Sequence, residues 1–131
     1  MSQENVEIVR AVIDAFNRGD FEAAFKDVAP SAEVDLSRAV GPVHGVFSFD
    51  QWRRQLEDFS GDWESLRIEP HGFVEAGEHV VVPWTLHGRG REGIEVVTRV
   101  TWVWTIRDHA IERVCMYQER QEALEAAGLR E

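Results

Sequence analysis

The sequence predicts a single α+β domain over residues 1–131, and three observations support this fold class. The length of 131 residues fits one compact domain, since domains most often have about 100 to 150 residues. In the first half of the chain, apolar residues recur at the spacing of three and four that is typical of helices. From Trp63 onward, apolar and polar residues alternate with the period of a strand. This order indicates helices packed on one face of an antiparallel sheet.

Three helices are predicted in the first half, over residues 2–18, 20–28 and 48–59. Gly19 is expected to end the first helix, because glycine adopts the left-handed backbone conformation at low cost. Asp20 is the expected N-cap of the second helix, and Pro30 follows its end. Ser48 and Gln51 have the spacing of a capping box, which predicts the start of the third helix.

The rest of the chain is predicted to be mainly β-structure. A short strand is expected at 32–36, and residues 37–47 are expected to be irregular. A meander of four strands follows, over residues 66–74, 79–88, 94–106 and 111–118. A short C-terminal helix is predicted at 119–127, with Gly128 as its stop signal.

The strand over 94–106 shows its two faces clearly. The face predicted to meet the helices consists of Ile94, Val96, Thr98, Val100, Trp102, Trp104 and Ile106. The opposite face holds Val97, Thr101 and Val103, and the strand over 79–88 is apolar on both faces. Helices on one side of the sheet would leave these apolar side chains in water. We therefore expect a homodimer through the outer face of the sheet.

The charge balance argues against nucleic acids as partners. Fourteen Lys and Arg against 24 Asp and Glu give a net charge of −10, whereas nucleic-acid binding depends on clustered cations. No apolar stretch approaches the length of a membrane span, and the N-terminus lacks the pattern of a signal peptide. A cytoplasmic location without membrane contact is expected.

Cofactors and metals are not expected either. A single cysteine, Cys115, excludes an intrachain disulfide, and no Cys/His spacing is typical of a zinc site. No glycine-rich phosphate loop is present. Cys115 is expected to be a small buried side chain.

Five segments, in order along the chain, are similar to those of one known family. They are AFNRGDF (15–21), GEHVVV (77–82), GRG (88–90), VWTIRD (103–108) and EALEAAGL (122–129). On these segments the chain resembles the nuclear transport factor 2-like superfamily and, within it, the SnoaL-like proteins. The resemblance implies a cone in which a curved sheet wraps around the helices and encloses an apolar pocket with one open mouth.

The resemblance leaves the reaction open, because the superfamily includes isomerase-like, polyketide cyclase-like, dehydratase-like and epoxide hydrolase-like enzymes and proteins without assigned activity. Steroid-isomerising relatives use a carboxylate base and two deep hydrogen-bond donors. The donor positions correspond to Val12 and Trp102 here, so both donors are missing. The base position corresponds to Leu36.

Asp35 is nevertheless a candidate base, because it lies one residue from the base position. A shift of one residue reverses the face of a strand, so a solvated carboxylate is the alternative. An epoxide hydrolase-like reaction would need an Asp-Arg-Asp network. Arg99 is available, but Thr101 stands where an acid would help, so that reaction is the less favoured one.

His87 is the second candidate base, since it lies in a strand that is apolar on both faces. Extrapolation from the pocket-lining pattern of the family places Val81, Pro83, Thr85 and His87 inward, although periodicity alone does not choose the face. A place in the dimer interface is the alternative for His87. His44 is a candidate for the mouth of the cone. The other three histidines are expected to be exposed, at strand ends or turns.

An unusually large set of aromatic side chains is available either for core packing or for pocket walls: Trp52, Trp84, Trp102, Trp104 and Tyr117. Walls of this kind suit a small hydrophobic or polycyclic ligand. Two hypotheses follow. The first is a cofactor-free cyclase, isomerase or dehydratase with His87 or Asp35 as the base. The second is a non-catalytic module for ligand binding or dimerisation.

Overall fold

The helices of the N-terminal half cover one face of a curved sheet. The computed structural model describes residues 2–38 and 45–128. Within them, the elements are α1 (Ser2–Asn17), α2 (Phe21–Ala24), β1 (Val28–Asp35), β2 (Val46–Ser48), α3 (Phe49–Gly61), β3 (Trp63–Pro70), β4 (Val74–Ala76), β5 (His79–Gly90), β6 (Glu95–Arg107), β7 (Ala110–Tyr117) and α4 (Arg120–Ala126).

The strands of the described residues form one mixed sheet in the order β2-β1-β7-β6-β5-β3, and β4 pairs with β5. β1 and β7 are parallel, while the other pairs are antiparallel. The sheet is curved and does not close. The predicted α+β class, with helices packed in a mainly antiparallel curved sheet, is confirmed.

The two faces of the sheet belong to two apolar clusters. The larger cluster joins α1 and the segment around Phe25 to the inner face of the sheet, including Val82 and Trp104. The smaller cluster lies on the outer face, where Val81 and Val103 pack with Ala123 and Leu124 of α4. The chain's own C-terminal helix therefore covers part of the outer face, which explains why β5 is apolar on both sides.

The second predicted helix, 20–28, is wrong in its length. Only Phe21–Ala24 is helical, and Val28 already begins β1, where it pairs with Ile111. Pro30 lies inside β1 and does not end a helix. It falls where the register between β1 and β7 shifts, which fits a residue that has no N–H to donate.

Strand β2 was not predicted, since residues 37–47 read as irregular chain. Val46 pairs with Asp35 and Phe47 with Val34, so β2 forms an antiparallel edge next to β1. The start of α3 agrees with the prediction. The backbone N–H of Ser48 donates to Gln51 Oε1 at 3.0 Å, and that of Gln51 donates to Ser48 Oγ at 3.2 Å.

The corner after α1 joins the helical layer to the sheet. The side chain of Asn17 accepts from the backbone N–H of Ile68 at 2.7 Å and donates to its carbonyl at 2.9 Å. Asp20 Oδ1 caps α2 by accepting from the N–H of Ala23 at 3.1 Å. Between them, Gly19 has a φ of 76°, as the sequence predicts for a left-handed stop.

We expect Gly19→Val to reduce the free energy of unfolding by more than about 1 kcal/mol, because a β-branched residue is strained at positive φ. A Cβ at Gly19 would meet no heavy atom within 4 Å, so the loss reports backbone strain and no steric clash. Gly61→Val is the matched control, since Gly61 is equally open but does not have a positive φ. Equal losses of stability in urea unfolding of the two variants would contradict the prediction.

Candidate functional site

A cavity of about 380 Å³ lies between the helices and the inner face of the sheet. The helical layer contributes Val12, Ile13, Phe16, Phe25, Trp52, Gln55, Leu56 and Phe59 to its wall. The sheet side contributes Leu36, Leu66, Ile68, Trp84, Leu86, Trp102, Trp104 and Met116. Apart from the indole N–H groups of its tryptophans, Gln55 carries the only polar side-chain group among the described residues of this lining. The cavity therefore suits a largely apolar ligand, to which it offers the side-chain amide of Gln55.

Four tryptophans, Trp52, Trp84, Trp102 and Trp104, form much of the wall. The ring of Trp102 is at the centre of this group, with centroid distances of 5.4 Å to Trp84, 5.7 Å to Trp104 and 6.1 Å to Trp52. These tilted and edge-on arrangements are the ones that aromatic pairs prefer. The tryptophan rings therefore support one another, and they also pack against the apolar core.

Two of these indoles carry an unusual feature. The Nε1 atoms of Trp102 and Trp104 are buried, and no described residue offers either of them a hydrogen-bond acceptor. Buried donors are nearly always paired in native proteins. Trp102 and Val12, which stand at the donor positions of the resemblance, both line the cavity.

Phe59 marks an exposed rim of the cavity, since it belongs to the lining and is 44% exposed. Its ring lies 5.5 Å from that of Trp63, measured between centroids. The ring of Trp63 rests directly on Gly88, where a Cβ would come within 2.9 Å of Trp63 Cζ3. Gly88 thus provides the space that lets Trp63 lie beside Phe59 at the rim.

The prediction that His87 faces the pocket is wrong. Trp84 and Leu86 line the cavity, so the alternation of β5 places His87 on the outer face. There His87 Nε2 lies 2.9 Å from Glu69 Oε1. This hydrogen bond is the main cause that lowers the pKa of Glu69. The inward set of Val81, Pro83, Thr85 and His87 was therefore assigned to the wrong face.

Asp35 also lies away from the cavity, whereas its neighbour Leu36 lines it. Asp35 is 6% exposed and forms an ion pair with Arg113. Its Oδ1 accepts from the Ser37 backbone N–H at 2.9 Å and from Ser37 Oγ at 2.6 Å. Burial alone would raise the pKa of Asp35, but the bonds from Ser37 and the charge of Arg113 outweigh it, so the pKa lies below 3.8. Asp35 has the environment of a structural carboxylate, not of a pocket base.

Tyr117, expected in the pocket wall, belongs to the outer cluster under α4. Burial, followed by hydrogen bonding with Cys115, raises its pKa to about 12. The guanidinium carbon of Arg38 lies 4.7 Å from the centre of its ring. Cys115 is buried beside it, as expected. These contacts join the turn after β1 to β7, and none of the three residues is part of the cavity wall.

The remaining candidates do not meet in the cavity. His44 lies outside the described residues. His71 Nε2 is 2.6 Å from Thr85 Oγ1, and neither residue is part of the cavity wall. The part of the lining that the structure describes contains no carboxylate and no arginine, so an epoxide hydrolase-like network around Arg99 is not formed there.

Within residues 2–38 and 45–128, no three His, Cys, Asp or Glu side chains are grouped so that they could hold a metal ion. Among the same residues, no helix has both the length and the apolar character needed to cross a membrane.

Residues 9–114 match the family model described as a SnoaL-like domain. None of the proteins with curated descriptions matches the chain. Solved structures do: TerC, co-crystallised with polyporic acid, superposes with a TM-score of 0.76 at 21% identity, covering 95% of this chain and 98% of that one.

Two further structures belong to proposed polyketide cyclases. One, from Xanthomonas campestris pv. campestris, has a TM-score of 0.69 at 23% identity. The superposition covers 96% of this chain and 98% of that one. The other, IdmH from Streptomyces antibioticus, has a TM-score of 0.74 at 16% identity. Here the superposition covers 95% of this chain and 98% of IdmH. At these identities the likeness establishes the fold.

Proposed function

The chain belongs to the family of SnoaL-like domains, and from this premise we propose that it binds a flat, largely apolar small molecule inside the cavity. The observation that carries the proposal is the lining itself, which is apolar apart from Gln55 and includes four tryptophans. Pockets for small molecules commonly enclose about 300 to 1,000 Å³, so a cavity of about 380 Å³ suits a ligand with few fused rings.

Binding is favoured over acid–base catalysis by the character of the wall. General acid–base catalysis needs a titratable group within hydrogen-bond reach of the substrate. No side chain of the described lining titrates, and the amide of Gln55 donates and accepts hydrogen bonds without exchanging a proton. The two expected bases, Asp35 and His87, lie on the other face of the sheet. The non-catalytic hypothesis therefore has the stronger support.

A cofactor-free cyclase, isomerase or dehydratase is the second candidate. It is favoured by the SnoaL-like match and by similar structures described as proposed polyketide cyclases. Its acid or base would have to come from the ligand or from the chain outside the described residues, where His44 is the candidate. Turnover of a polyketide-like substrate that His44→Ala removes, with binding retained, would favour this candidate over binding alone.

We expect fluorene to stabilise the protein, because a ligand bound only to the folded state at 100 times its dissociation constant adds about 2.7 kcal/mol. The measurement is urea unfolding with and without fluorene. Fluorene-9-carboxylate is the control ligand, since an unpaired charge is costly in an apolar cavity. It should bind at least about tenfold more weakly. The proposal fails if fluorene neither stabilises the protein nor binds in a fluorescence titration.

We also propose a homodimer through the part of the outer face that α4 leaves open. Val103 is only 5% exposed because it packs under α4 of the same chain, so it cannot serve as the test position. Val97 lies on the same face of β6 and is 62% exposed. An apolar side chain this exposed on a strand offers a contact for a second copy.

The protein is therefore expected to show about twice the chain mass of 15.0 kDa in light scattering. Val97→Asp should give the monomer mass, since an unpaired charge buried in an interface costs several kcal/mol. Val46→Asp is the matched control, because Val46 is 54% exposed on the edge strand β2. A monomeric wild type, or a dimer that Val97→Asp does not disturb, would contradict this interface.

A further inference from the structure

We infer that a second binding surface continues outward from the exposed rim of the cavity and holds an aliphatic chain that the ligand carries on its flat ring system. This rim surface consists of Phe59, Trp63, Gly88, Ile94 and Val96. The inference rests on the proposed function and adds the chemical class of the ligand, a polycycle with an aliphatic chain. The ring system lies in the cavity, and the chain lies outside it on the rim surface.

The rim surface lies on the same face of the sheet as the cavity wall. On β5, Leu86 lines the cavity, and Gly88 is two residues further along the strand, so both belong to one face. Val96 of β6 is directly opposite Gly88 and therefore shares this face. Leu66, another residue of the cavity wall, pairs with Gly88 from β3. The inner face thus continues from the cavity wall to the end of the β5–β6 hairpin.

Trp63 and Ile94 border this continuation on two sides. Trp63 comes from β3 and covers Gly88, where an added Cβ would lie 2.9 Å from Trp63 Cζ3. Ile94 precedes β6, and an added Cβ on Gly90 would lie 3.9 Å from Ile94 Cβ. The strands β3 and β6 are the neighbours of β5 on its two sides here. An aromatic ring and an aliphatic side chain therefore flank a stretch of β5 that has only glycines on this face.

Exposed apolar side chains are concentrated at the rim surface. The exposed fraction is 44% for Phe59, 63% for Ile94 and 37% for Val96. In the described part of the chain, the other large apolar residues with such exposure are Val46 and Val97, and both lie on the outer face of the sheet. A group of exposed apolar side chains beside a cavity is typical of a ligand-binding surface.

The rim surface is joined to the cavity at Phe59. This residue belongs to the cavity wall, and the centroid of its ring is 5.5 Å from that of Trp63. A cavity of about 380 Å³ accommodates a small ring system, so a longer ligand must extend past Phe59. An aliphatic chain has rotatable bonds and can follow this path, and it gains free energy when apolar side chains replace water around it.

The hairpin that carries the rim surface is held in place beside the cavity. The Nε–H of Arg91 donates to the carbonyl oxygen of Gly61, at the end of α3, at 3.0 Å. Within the turn, the backbone N–H of Gly90 donates to the carbonyl of Ile94 at 2.7 Å, and that of Gly93 donates to the carbonyl of Gly90 at 3.0 Å. The rim surface is therefore formed before the ligand binds, and little ordering of the protein opposes the contact.

A second copy of the chain is the competing occupant of the rim surface. A stable protein interface buries about 800 Å² on each partner and involves roughly 20 to 30 residues a side. The side chains of Phe59, Trp63, Ile94 and Val96 provide far less than this. The proposed homodimer uses the outer face, to which Val97 belongs, and leaves the inner face of the hairpin open. The chain of a bound ligand therefore fits the size of the rim surface better than a second copy does.

The test compares fluorene with 2-butylfluorene, which have the same ring system and differ by a four-carbon chain. Each CH₂ group that is fully removed from water favours binding about fourfold. The rim surface covers the chain on one side, so we expect the wild type to bind 2-butylfluorene at least about tenfold more tightly than fluorene. Both dissociation constants are measured by fluorescence titration.

The double variant Ile94→Ser with Val96→Ser removes apolar surface from the rim and leaves the cavity wall unchanged. The preference for 2-butylfluorene should fall at least about threefold, while fluorene should bind as it does to the wild type. Val46→Ser is the matched control, because Val46 is 54% exposed on the outer face, and it should leave the preference unchanged. All three positions are exposed, so the variants should fold, as urea unfolding would verify.

A second measurement uses the wild type and needs no variant to fold. In NMR spectra of the complex with 2-butylfluorene, we expect NOE contacts between the butyl protons and the methyl groups of Ile94 and Val96. No such contacts are expected with the methyl groups of Val46, which is on the other face of the sheet. A butyl chain that shows contacts only with residues of the cavity wall would overturn the inference.

The outcomes separate this inference from the proposed function. Binding of neither compound contradicts the proposed function itself. Binding of fluorene without a preference for 2-butylfluorene overturns the inference and leaves the proposed function intact. A preference that the double variant retains in full also overturns it and assigns the chain to the interior of the cavity. A double variant that retains the preference but loses the dimer mass in light scattering overturns it as well and assigns the rim surface to a contact between copies.

Discussion

Leu86→Trp is expected to weaken fluorene binding at least about 100-fold, which corresponds to about 2.7 kcal/mol. Leu86 lies on β5 and lines the cavity, whose volume is about 380 Å³. An indole in place of the isobutyl group takes up space that a flat ligand needs, and close-packed interiors do not yield such space cheaply. The measurement is a fluorescence titration with fluorene, together with urea unfolding to show that the variant is folded.

His87→Trp is the matched control, because His87 is the next residue of the same strand and lies on its other face. The same bulky side chain is added there to a position beside Glu69, outside the cavity. Fluorene should then bind within a factor of about two of the wild type. If His87→Trp removed binding and Leu86→Trp did not, the ligand site would lie on the outer face and the proposed function would be wrong.

The face of β5 illustrates which part of the site the sequence allowed us to predict. The alternation in β6 placed Trp102 and Trp104 inward, and the structure agrees. For β5, both faces are apolar, and the extrapolation from the family chose the wrong one. Hairpin register contained the missing information: Val82 pairs with Trp102, and residues directly opposite in a ladder share a face. Once Trp102 is inward, Val82, and with it Leu86, must be inward too.

The environment of Asp35 could not be predicted in this way. Arg113, which is 78 positions further along the chain, reaches it because β1 and β7 are parallel neighbours. Local periodicity gives the faces of a strand but not which distant strand lies next to it. The helix boundaries show the same limit. The end of α1 at Gly19 follows from the local backbone preference of glycine. The start of β1 at Val28 depends instead on its pairing with Ile111, which is distant in sequence.

Asp35→Ala should reduce the free energy of unfolding at pH 7 by about 2 kcal/mol. The Asp35 side chain is 8% exposed, accepts two hydrogen bonds from Ser37 and pairs with Arg113. Glu33→Ala is the matched control, since Glu33 pairs with the same arginine at 3.2 Å but its side chain is 54% exposed. An exposed pair contributes little, so this variant should lose less than about 0.5 kcal/mol.

The difference in the free energy of unfolding between the wild type and Asp35→Ala is expected to depend on pH. The folded pKa of Asp35 lies below its ordinary value of 3.8, so the unfolded state binds the proton more readily and stability rises with pH. The contribution of Asp35 is therefore complete above roughly pH 5 and is lost as the pH falls through the folded pKa. Urea unfolding at pH 7 and near pH 3 should show the gap between wild type and Asp35→Ala shrinking at acid pH. An unchanged gap would contradict the lowered pKa of Asp35. An Asp35→Ala variant that keeps its stability but loses turnover of a substrate would instead return Asp35 to the role of a base.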